Sequence, residues 1–415
     1  MESSGNLWSP DWSNAVFSLA ERGARWAKVR GLMAAAGIDL LVCFPNTGNH
    51  DRLAANARYL TQLGENSDAV TVAFPIEGEI TAWQSRPGVW PSSNWFTDIR
   101  SAARGTGGAT LVKWIQEHPA FAKATIGIAD LDWSPLAAIR SKEGDVNWRS
   151  FEVLKSAFPD ARFVSATQLL GEARWRKSAE EIDFIRRGTE VAEVTLEALY
   201  RCAGPGVRER HAFGQMMAAN ADAGGSFPPM IGWVSGPVEK RYHRLEQPSF
   251  RTFQTGDVLV AEVEGRWGGY AGQIDQTVSF GNTPHLEDVV QYAYEAFDRA
   301  LAALKPGVTI SDVVAASNVT GMNGRVRAVL GGHGRGTGDD GPLLIDGERD
   351  NPLTGGLIIE EGCSLALKPS ASFDGKSAYA RWGETVAVTR DGAVRLGTRP
   401  KELRTLSEET HAHAR

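Results

Sequence analysis

The pattern of apolar residues changes near Arg174, and this change constrains the fold more than any other feature of the chain. Before it, an amphipathic helix beginning at Ala20 runs into the apolar strand 40–44, and further short apolar segments alternate with helical ones. After it come a long helix, a strand region rich in proline and glycine, a second helix at 286–304 and a glycine-rich stretch. We therefore predict an α/β domain over residues 1–172 and an α+β domain over residues 173–415. Further strands of the first domain are predicted at 69–74, 81–83, 126–129 and 162–164.

Composition excludes several classes of protein. The 415 residues are 42% apolar, which suffices for a large core, and the net charge of -6 comes without acidic or basic blocks. We therefore expect neither a nucleic-acid partner nor a membrane partner. No apolar run approaches the roughly 20 residues of a membrane helix, and the first residues lack a signal pattern, so we expect a cytoplasmic protein. The three cysteines are far apart and fit neither a disulfide framework nor a zinc site.

Two strands joined by a short turn carry the first candidate site residues. Alternation along 256–264 places two glutamates on one face, and the strand that begins at Tyr270 carries a glutamine and an aspartate. Strands joined so closely can aim these groups at one point, although a solvated face of an antiparallel sheet would show the same pattern. The four side chains are Glu262, Glu264, Gln273 and Asp275.

Two histidines and two further charges complete the candidates. His333 lies in the glycine-rich segment 331–338, where the backbone can approach a ligand closely; a surface histidine in a flexible loop is the alternative. His243 lies on a polar connection and could act as a general base at neutral pH, or could simply be solvated. Lys368 ends one predicted strand, and Glu384 lies near the start of another.

Taken in this order, the segments resemble the pita-bread family of creatinase, prolidase, aminopeptidase P and methionine aminopeptidase. The resemblance rests on 176–182, 256–257, 269–270, 332–334, 361–362 with Pro369, and 385–392, and on 56–61 in the first domain. It implies a creatinase/prolidase-like N-terminal domain, a pita-bread catalytic domain and a homodimer. In such dimers the N-terminal domain of one chain lies near the site of the other, and the candidates for that contact are Asn46, His50, Arg52 and Arg58.

The resemblance also implies that the family's metal site is altered. Metallopeptidases of this family hold two divalent metals with two aspartates, a histidine and two glutamates. In family order, these positions carry Glu262, Gln273, His333, Lys368, and Gly383 with Glu384 beside it. Glu262 and Lys368 together carry no net charge, so no excess negative charge remains to hold a dication, and an ammonium would repel one. We expect no metal or other cofactor, and we expect Lys368 to fill the metal space and pair with Glu262 or Asp275.

Creatinase resembles this situation because it works without a metal, using a histidine base and carboxylates that hold a guanidinium. His243 stands near the position of that base, and Asp275 stands at one of the carboxylates. The other carboxylate position is Lys368. This reversal of charge argues against a guanidinium substrate, and favours an anionic or carbonyl group that Lys368 and Arg335 can meet.

The leading hypothesis is metal-independent hydrolysis of a C–N bond in a small amide, amidine or cyclic amidine-like compound, a class of substrate that the family reaches in ectoine hydrolase. In it, His243 activates water and Lys368 stabilises developing negative charge. The other residues assigned to this site, for catalysis or for substrate contact, are Glu262, Asp275, His333, Glu384, Glu264, Tyr270, Gln273, Arg335 and Trp382.

Two alternatives stay open. A shift of two residues along the strands would offer Glu264, Asp275, His333 and Glu384 to one metal ion, as in the iron-dependent dimethylsulfoniopropionate lyase of this fold or a Xaa-Pro peptidase. The third possibility is a binding module without activity, as pita-bread domains of chromatin factors and ribosome-associated proteins have become.

Overall fold

The computed structural model describes residues 16–45, 55–63, 70–85, 95–103, 105–137, 143–226, 230–237, 248–283, 285–344, 352–374 and 377–407. The chain divides into two compact units. The first comprises Met1–Glu180 with Thr337–Gly341, and the second comprises Glu181–Gly336 with Pro342–Arg415. The boundary predicted after residue 172 falls inside a helix, a few residues before this division.

The first unit is built on a six-stranded mixed sheet of order β4-β3-β2-β1-β5-β6. Its core packs helices against the central strands and includes Leu40, Val42, Trp114 and Ile126. The elements are α1 (Leu19–Ala36), β1 (Leu40–Cys43), α2 (Ala55–Thr61), β2 (Thr71–Pro75), β3 (Thr81–Gln84), β4 (Ile99–Ser101), α3 (Gly107–Glu117), β5 (Thr125–Ile128), α4 (Trp148–Ala157), β6 (Arg162–Ser165) and α5 (Thr167–Trp175).

The second unit begins with two helices and continues into a large, mainly antiparallel sheet. The elements are α6 (Ala179–Cys202), α7 (Glu209–Asp222), β7 (Ile231–Pro237), β8 (Asp257–Trp267), β9 (Tyr270–Phe280), α8 (Leu286–Ala303), α9 (Ile310–Ser317), β10 (Val319–Gly321), β11 (Val326–Val329), β12 (Gly332–Gly334), α10 (Pro352–Gly355), β13 (Ser364–Leu367), β14 (Ser370–Phe373), β15 (Ser377–Thr389), β16 (Gly392–Arg395) and β17 (Arg404–Leu406).

Strand β15 lies at the centre of this sheet, whose main path of hydrogen-bonded strands runs β10-β11-β14-β15-β9-β8-β7. The first part of β15 pairs with β14 and its later part pairs with β13, so the chain crosses from one partner strand to the other at Lys368 and Pro369. Proline has no N–H to donate to a ladder, which suits a break at this point. Lys368 therefore stands at the middle of the sheet, where two partner strands of β15 meet.

One face of the sheet is apolar and carries the core of the second unit. Alternate residues of β8 and β9, among them Leu259, Ala261 and Ile274, pack against α6 and α7. Helix α6 approaches the strands closely because glycines face it: a Cβ on Gly272 would come within 2.2 Å of the backbone nitrogen of Thr189. Since side chains alternate along a strand, the residues between the apolar ones point to the opposite face, which is called the polar face below.

The structure confirms the predicted architecture at the level of elements. The strand predicted at 40–44 is β1, the helix predicted at 286–304 is α8, and the two strands with the clustered carboxylates are β8 and β9. Their apolar residues form a continuous run in β1 and recur at a regular period in α8 and β8, which is why the sequence suffices to place them.

Candidate functional site

The polar face gathers six side chains at the crossing point of β15. In the paired strands, Glu262 lies directly opposite Asp275, and Asp275 lies opposite Gly383. The neighbouring row contains Gln273 opposite Glu264. We call the group the lysine cluster, and its members are Glu262, Gln273, Asp275, His333, Lys368 and Arg381.

The ammonium of Lys368 is the centre of this cluster. Its Nζ lies 3.2 Å from Glu262 Oε1, 3.3 Å from Gln273 Oε1 and 3.0 Å from His333 Nε2. Three acceptors match the three N–H bonds of an ammonium group. Of the two partners expected from the sequence, Glu262 and Asp275, Lys368 pairs with Glu262. Gln273 also donates from Nε2 to the same glutamate oxygen at 2.5 Å, so one oxygen of Glu262 receives two donors.

The orientation of His333 follows from its two neighbours. Its Nδ1 lies 2.9 Å from the backbone carbonyl of Gly334, an acceptor that requires a proton on Nδ1. That leaves the lone pair of Nε2 to accept from Lys368. The histidine is 2% exposed, so a buried neutral imidazole with both nitrogens engaged is the consistent state. Its place in β12, beside β13, brings it to Lys368.

Arg381 is the member that sequence reasoning missed. It lies two residues before Gly383 on β15, and its guanidinium contacts Asp275 Oδ2 at 2.7 Å and Glu262 Oε2 at 3.4 Å. The contact with Asp275 is a charge contact without the alignment of a hydrogen bond. The signal was available: a residue two positions from a family ligand position shares its face of the strand.

The two carboxylates have different electrostatic environments. Burial by itself would raise the pKa of Glu262, but Lys368 and Arg381 lower that pKa to about 2. Burial raises the pKa of Asp275 to about 6, aided by Glu262 and opposed by Arg381. Groups this close titrate as a pair, so we assign the direction of each shift: Glu262 stays ionised and Asp275 holds its proton more tightly.

Two predicted site residues engage each other away from Lys368. Glu264 is buried and receives Arg266 Nε at 2.6 Å on one oxygen and the Arg335 guanidinium on the other. Arg335 is fully buried and also donates to the carbonyl of Ala271 at 3.3 Å. The structure therefore does not place Arg335 beside Lys368, and it commits the Glu264 carboxylate to two guanidiniums rather than to a metal ion.

Trp382 and Glu384 lie on the opposite face from the lysine cluster. Trp382 is fully buried against Tyr294 and Phe297 of α8. Glu384 receives Arg395 Nη2 at 2.6 Å, and burial raises its pKa despite nearby arginines. Both residues are offset by one position from Gly383 along β15, and one position reverses the face. The structure thus does not bring them to the predicted site.

The other predicted residues have three different outcomes. Tyr270 is buried and donates its hydroxyl to Glu181 Oε1 at 2.7 Å, beside Phe184 of α6. That contact fixes it against the helix, so the structure does not bring Tyr270 to the lysine cluster. Arg58 is buried in the first unit, within α2. The remaining candidates lie outside the described residues: His243, Asn46, His50 and Arg52.

The donor set does not fit the two-metal site of the family. Two carboxylates, Glu262 and Asp275, face two cations, Lys368 and Arg381, so the cluster carries no net charge. The nitrogen and oxygen lone pairs that would bind a cation already accept from the ammonium. Among the residues that the structure describes, no group of three or more His, Cys, Asp or Glu side chains is arranged to hold a metal ion.

Comparison with known protein families identifies the class to which this fold belongs. Residues 183–390 match the model of metallopeptidase family M24, and the chain belongs to this family. Its architecture is an α/β N-terminal domain followed by a pita-bread domain, as in solved structures of a Xaa-Pro dipeptidase and an X-Pro aminopeptidase.

Individual relatives are distant. The chain is 26% identical over 263 residues to the putative dipeptidase YkvY of Bacillus subtilis, covering 61% of this chain and 68% of that protein. It is 26% identical over 260 residues to the agropine synthesis cyclase of Rhizobium rhizogenes, covering 58% and 64%. The Xaa-Pro dipeptidase of Pyrococcus furiosus is 23% identical over 269 residues, covering 63% and 74%.

Solved structures show the shared fold. A Xaa-Pro dipeptidase from Bacillus anthracis superposes with a TM-score of 0.71 at 18% identity, covering 93% of this chain and all of that one. The X-Pro aminopeptidase from Thermotoga maritima gives 0.71 at 19% identity, covering 92% and 99%. Within the described part of the chain, no helix has the length and apolar character needed to span a membrane.

Proposed function

We propose that this protein is a metal-independent hydrolase that cleaves a C–N bond in a small amide, amidine or cyclic amidine. The observation that carries the proposal is the ammonium of Lys368, which lies between Glu262, Gln273 and His333 and engages all three. Together with Arg381 it balances the carboxylates without a metal. The cluster as a whole is neutral, but its fixed ammonium is a local positive group, and a preorganised group of this kind stabilises negative charge that develops beside it in a transition state.

The reaction needs a water molecule, a base and a route for the leaving nitrogen. Water attacks the carbon of the C–N bond while a base takes its proton; the C–N bond then breaks, and the nitrogen leaves with a proton. His243 is the proposed base on the strength of its position in the family resemblance. Because Lys368 already has three acceptors, we assign it a field effect on the developing charge instead of a direct hydrogen bond.

Names within the family are compatible with a substrate that is not a peptide. Several relatives are described as Xaa-Pro dipeptidases, whereas the protein of Rhizobium rhizogenes is described as a cyclase of agropine synthesis. The same fold is therefore associated with more than one reaction, and the site must decide the chemistry. A homodimer forms part of the proposal and is tested by light scattering after size-exclusion chromatography.

The deciding experiment measures metal content and activity on the same preparation. Protein purified without added metal is analysed by plasma mass spectrometry, then assayed against small amides and amidines and against Xaa-Pro dipeptides, with and without EDTA. We expect far less than one metal per chain, amide or amidine turnover that EDTA does not change, and loss of that turnover in His243→Ala. Dipeptide cleavage that requires a stoichiometric metal would overturn the proposal. Full turnover in His243→Ala would reject the assigned base.

A further inference from the structure

A cavity of about 780 Å³ lies along the two helices that open the second unit, α6 and α7. Its walls are the end of α6, the turn that joins the two helices and one face of α7. Both helices pack on the apolar face of the large sheet, so the cavity lies on the other side of that sheet from the lysine cluster. None of the six members of the lysine cluster lines it. A ligand of this cavity is therefore distinct from the substrate of the proposed reaction.

One end of the cavity is basic. Arg201 lies in the last turn of α6, and Arg208 and His211 lie three positions apart at the start of α7, a spacing that puts two side chains on one face of a helix. The three side chains are exposed, and none of them makes a hydrogen bond or an ion pair with another residue that the structure describes. A single exposed arginine is ordinarily solvated by water, but basic groups that line one concave surface together create a local positive potential.

No carboxylate balances this potential among the described residues at that end of the cavity. The one acid among the described lining residues is Asp222, eleven positions after His211, which is about 16 Å along the axis of α7. Charges separated by more than about 8 Å are largely screened at physiological ionic strength. Glu197 lies one turn before Arg201, but it lines a separate, smaller cavity and makes no ion pair with Arg201 in the described part of the chain. The basic end therefore needs an anion from outside.

Small side chains form much of the remaining wall. Ala198 of α6 and Ala218 and Ala219 of α7 line the cavity, together with Val207 from the turn between the helices. Their small size leaves the groove between the helices open, and their apolar surface suits the carbon skeleton of a ligand. The volume lies within the range of roughly 300–1,000 Å³ that small-molecule sites occupy.

We propose that this cavity binds a small organic phosphate, with Arg201, Arg208 and His211 holding the phosphate group and the alanine-lined wall contacting the organic part. A phosphate group offers three terminal oxygens, which is enough for two guanidinium groups and one imidazole to bind it at the same time. A carboxylate offers only two oxygens in one plane and would leave one of the three groups without an acceptor. The proposal goes beyond the proposed function and does not depend on it.

The test measures binding directly. Phenyl phosphate, inorganic phosphate and the neutral benzyl alcohol are titrated by calorimetry into the full-length protein in a buffer free of phosphate. We expect saturable binding of phenyl phosphate below about 10 mM. Inorganic phosphate should bind more weakly because it lacks the apolar contact, and benzyl alcohol should not saturate because it lacks the charge.

Three variants then assign the binding to named groups. Arg201→Gln and Arg208→Gln should each weaken the binding of phenyl phosphate about tenfold, because each removes a charged hydrogen-bond donor. His211→Ala should weaken it by a smaller factor, since it removes a hydrogen bond and not a permanent charge. Each substitution is at an exposed position, so the fold should be retained.

Arg210→Gln is the matched control. It makes the same change in net charge in the first turn of α7, but Arg210 lies over the ring of Phe250 at 4.2 Å and does not line the cavity. We expect it to change the affinity for phenyl phosphate by less than about twofold, because screened attraction over a distance is weak.

Several outcomes would overturn the proposal. They are the absence of saturable binding of phenyl phosphate below about 10 mM, affinity that survives in both Arg201→Gln and Arg208→Gln, and a loss in Arg210→Gln as large as theirs. Equal affinities for phenyl phosphate and inorganic phosphate would likewise reject an organic phosphate as the ligand. None of these measurements uses a substrate of C–N hydrolysis, so failure of the proposed reaction would leave this result unchanged.

Discussion

Gly383 lies directly beneath the side chain of Lys368. A Cβ at position 383 would come within 3.1 Å of Lys368 Cγ, 3.0 Å of Lys368 Cα and 2.6 Å of the carbonyl oxygen of Leu367. The missing side chain lets the lysine cross β15 and reach Glu262 on β8, two strands further along the sheet. The path of the Lys368 side chain therefore depends on the absence of a side chain at position 383.

Gly383→Ala should accordingly destabilise the protein. The new methyl group has backbone on one side and the lysine stem on the other, and overpacking of this kind costs about 1–3 kcal/mol in the free energy of unfolding. Urea unfolding measures the change. Gly214→Ala is the matched control, because nothing lies within 4 Å of that position in α7, and we expect it to be neutral or stabilising by up to about 1 kcal/mol. Equal effects of both substitutions would refute this account of Gly383.

Removing the Lys368 ammonium should lower the free energy of unfolding more than removing an ammonium at the surface does. Lys368→Met keeps the length of the side chain but removes the cation nearest to Glu262, which keeps Arg381 and Gln273, and leaves His333 Nε2 without this donor, so we expect a loss of about 3 kcal/mol. Lys401→Met breaks the more exposed pair with Asp298 and should cost less than about 1 kcal/mol. Chemical denaturation of both variants decides the point. A loss at position 368 no larger than that at position 401 would show that the lysine cluster contributes little to stability.

Sequence reasoning reached part of the site, and the reasons are specific. The division into an α/β and an α+β domain followed from apolar periodicity, whereas the pita-bread fold followed from the resemblance of the motifs to that family. Charge balance between family positions predicted that Lys368 pairs with Glu262 or Asp275, and the pair that forms is the one with Glu262. The environments of Trp382 and Glu384 did not follow, because a difference of one position from Gly383 decides the face, and a motif alone does not fix strand register.

Arg335 and Arg381 show a second kind of limit. Both are arginines near family ligand positions, but a buried arginine's partner depends on contacts between distant segments. Arg335 meets Glu264 from 71 residues away, whereas Arg381 meets Glu262 from 119 residues away. Only the folded chain distinguishes the arginine of the lysine cluster from the one that neutralises Glu264.

The shifted pKa values of Asp275 and Glu262 make the free energy of unfolding depend on pH. The folded-state pKa of Asp275, about 6, lies above its ordinary value of 3.8, so its stabilising contribution is full below pH 3.8 and is lost as pH rises through 6. The pKa of Glu262, about 2, lies below its ordinary value of 4.5, so its contribution is full above pH 4.5 and is lost as pH falls towards 2.

Asp275→Asn isolates the first of these effects. Its free energy of unfolding, measured in urea at a series of pH values, is compared with that of the unaltered protein between pH 4 and pH 7. We expect the unaltered protein to lose stability relative to the variant as pH rises through this window. Glu262→Gln should show the opposite sign in the acid window, where the unaltered protein loses stability as pH falls. A difference that does not vary with pH for Asp275→Asn would mean that its carboxyl is not perturbed.

Rebuilding the family's metal site is the strongest test of the interpretation that Lys368 occupies it. The variant Gln273→Asp, Lys368→Glu, Gly383→Glu places carboxylates at the altered positions beside Glu262 and His333. It also removes the ammonium, and with it the long side chain that needs the space above residue 383. Excess negative charge with one imidazole is a donor set for Mn²⁺ or Co²⁺. We expect calorimetry to show saturable Mn²⁺ binding by this variant and none by the unaltered protein.

The matched control retains the lysine. In Gln273→Asp, Gly383→Glu the new carboxylates face the Lys368 ammonium, which neutralises one of them and repels a cation, while the side chain at position 383 collides with the lysine stem. This double variant should therefore bind no Mn²⁺ although it differs from the triple variant at a single position. Mn²⁺ binding by the double variant, or by the unaltered protein, would mean that Lys368 leaves the cluster readily and does not define a metal-independent site.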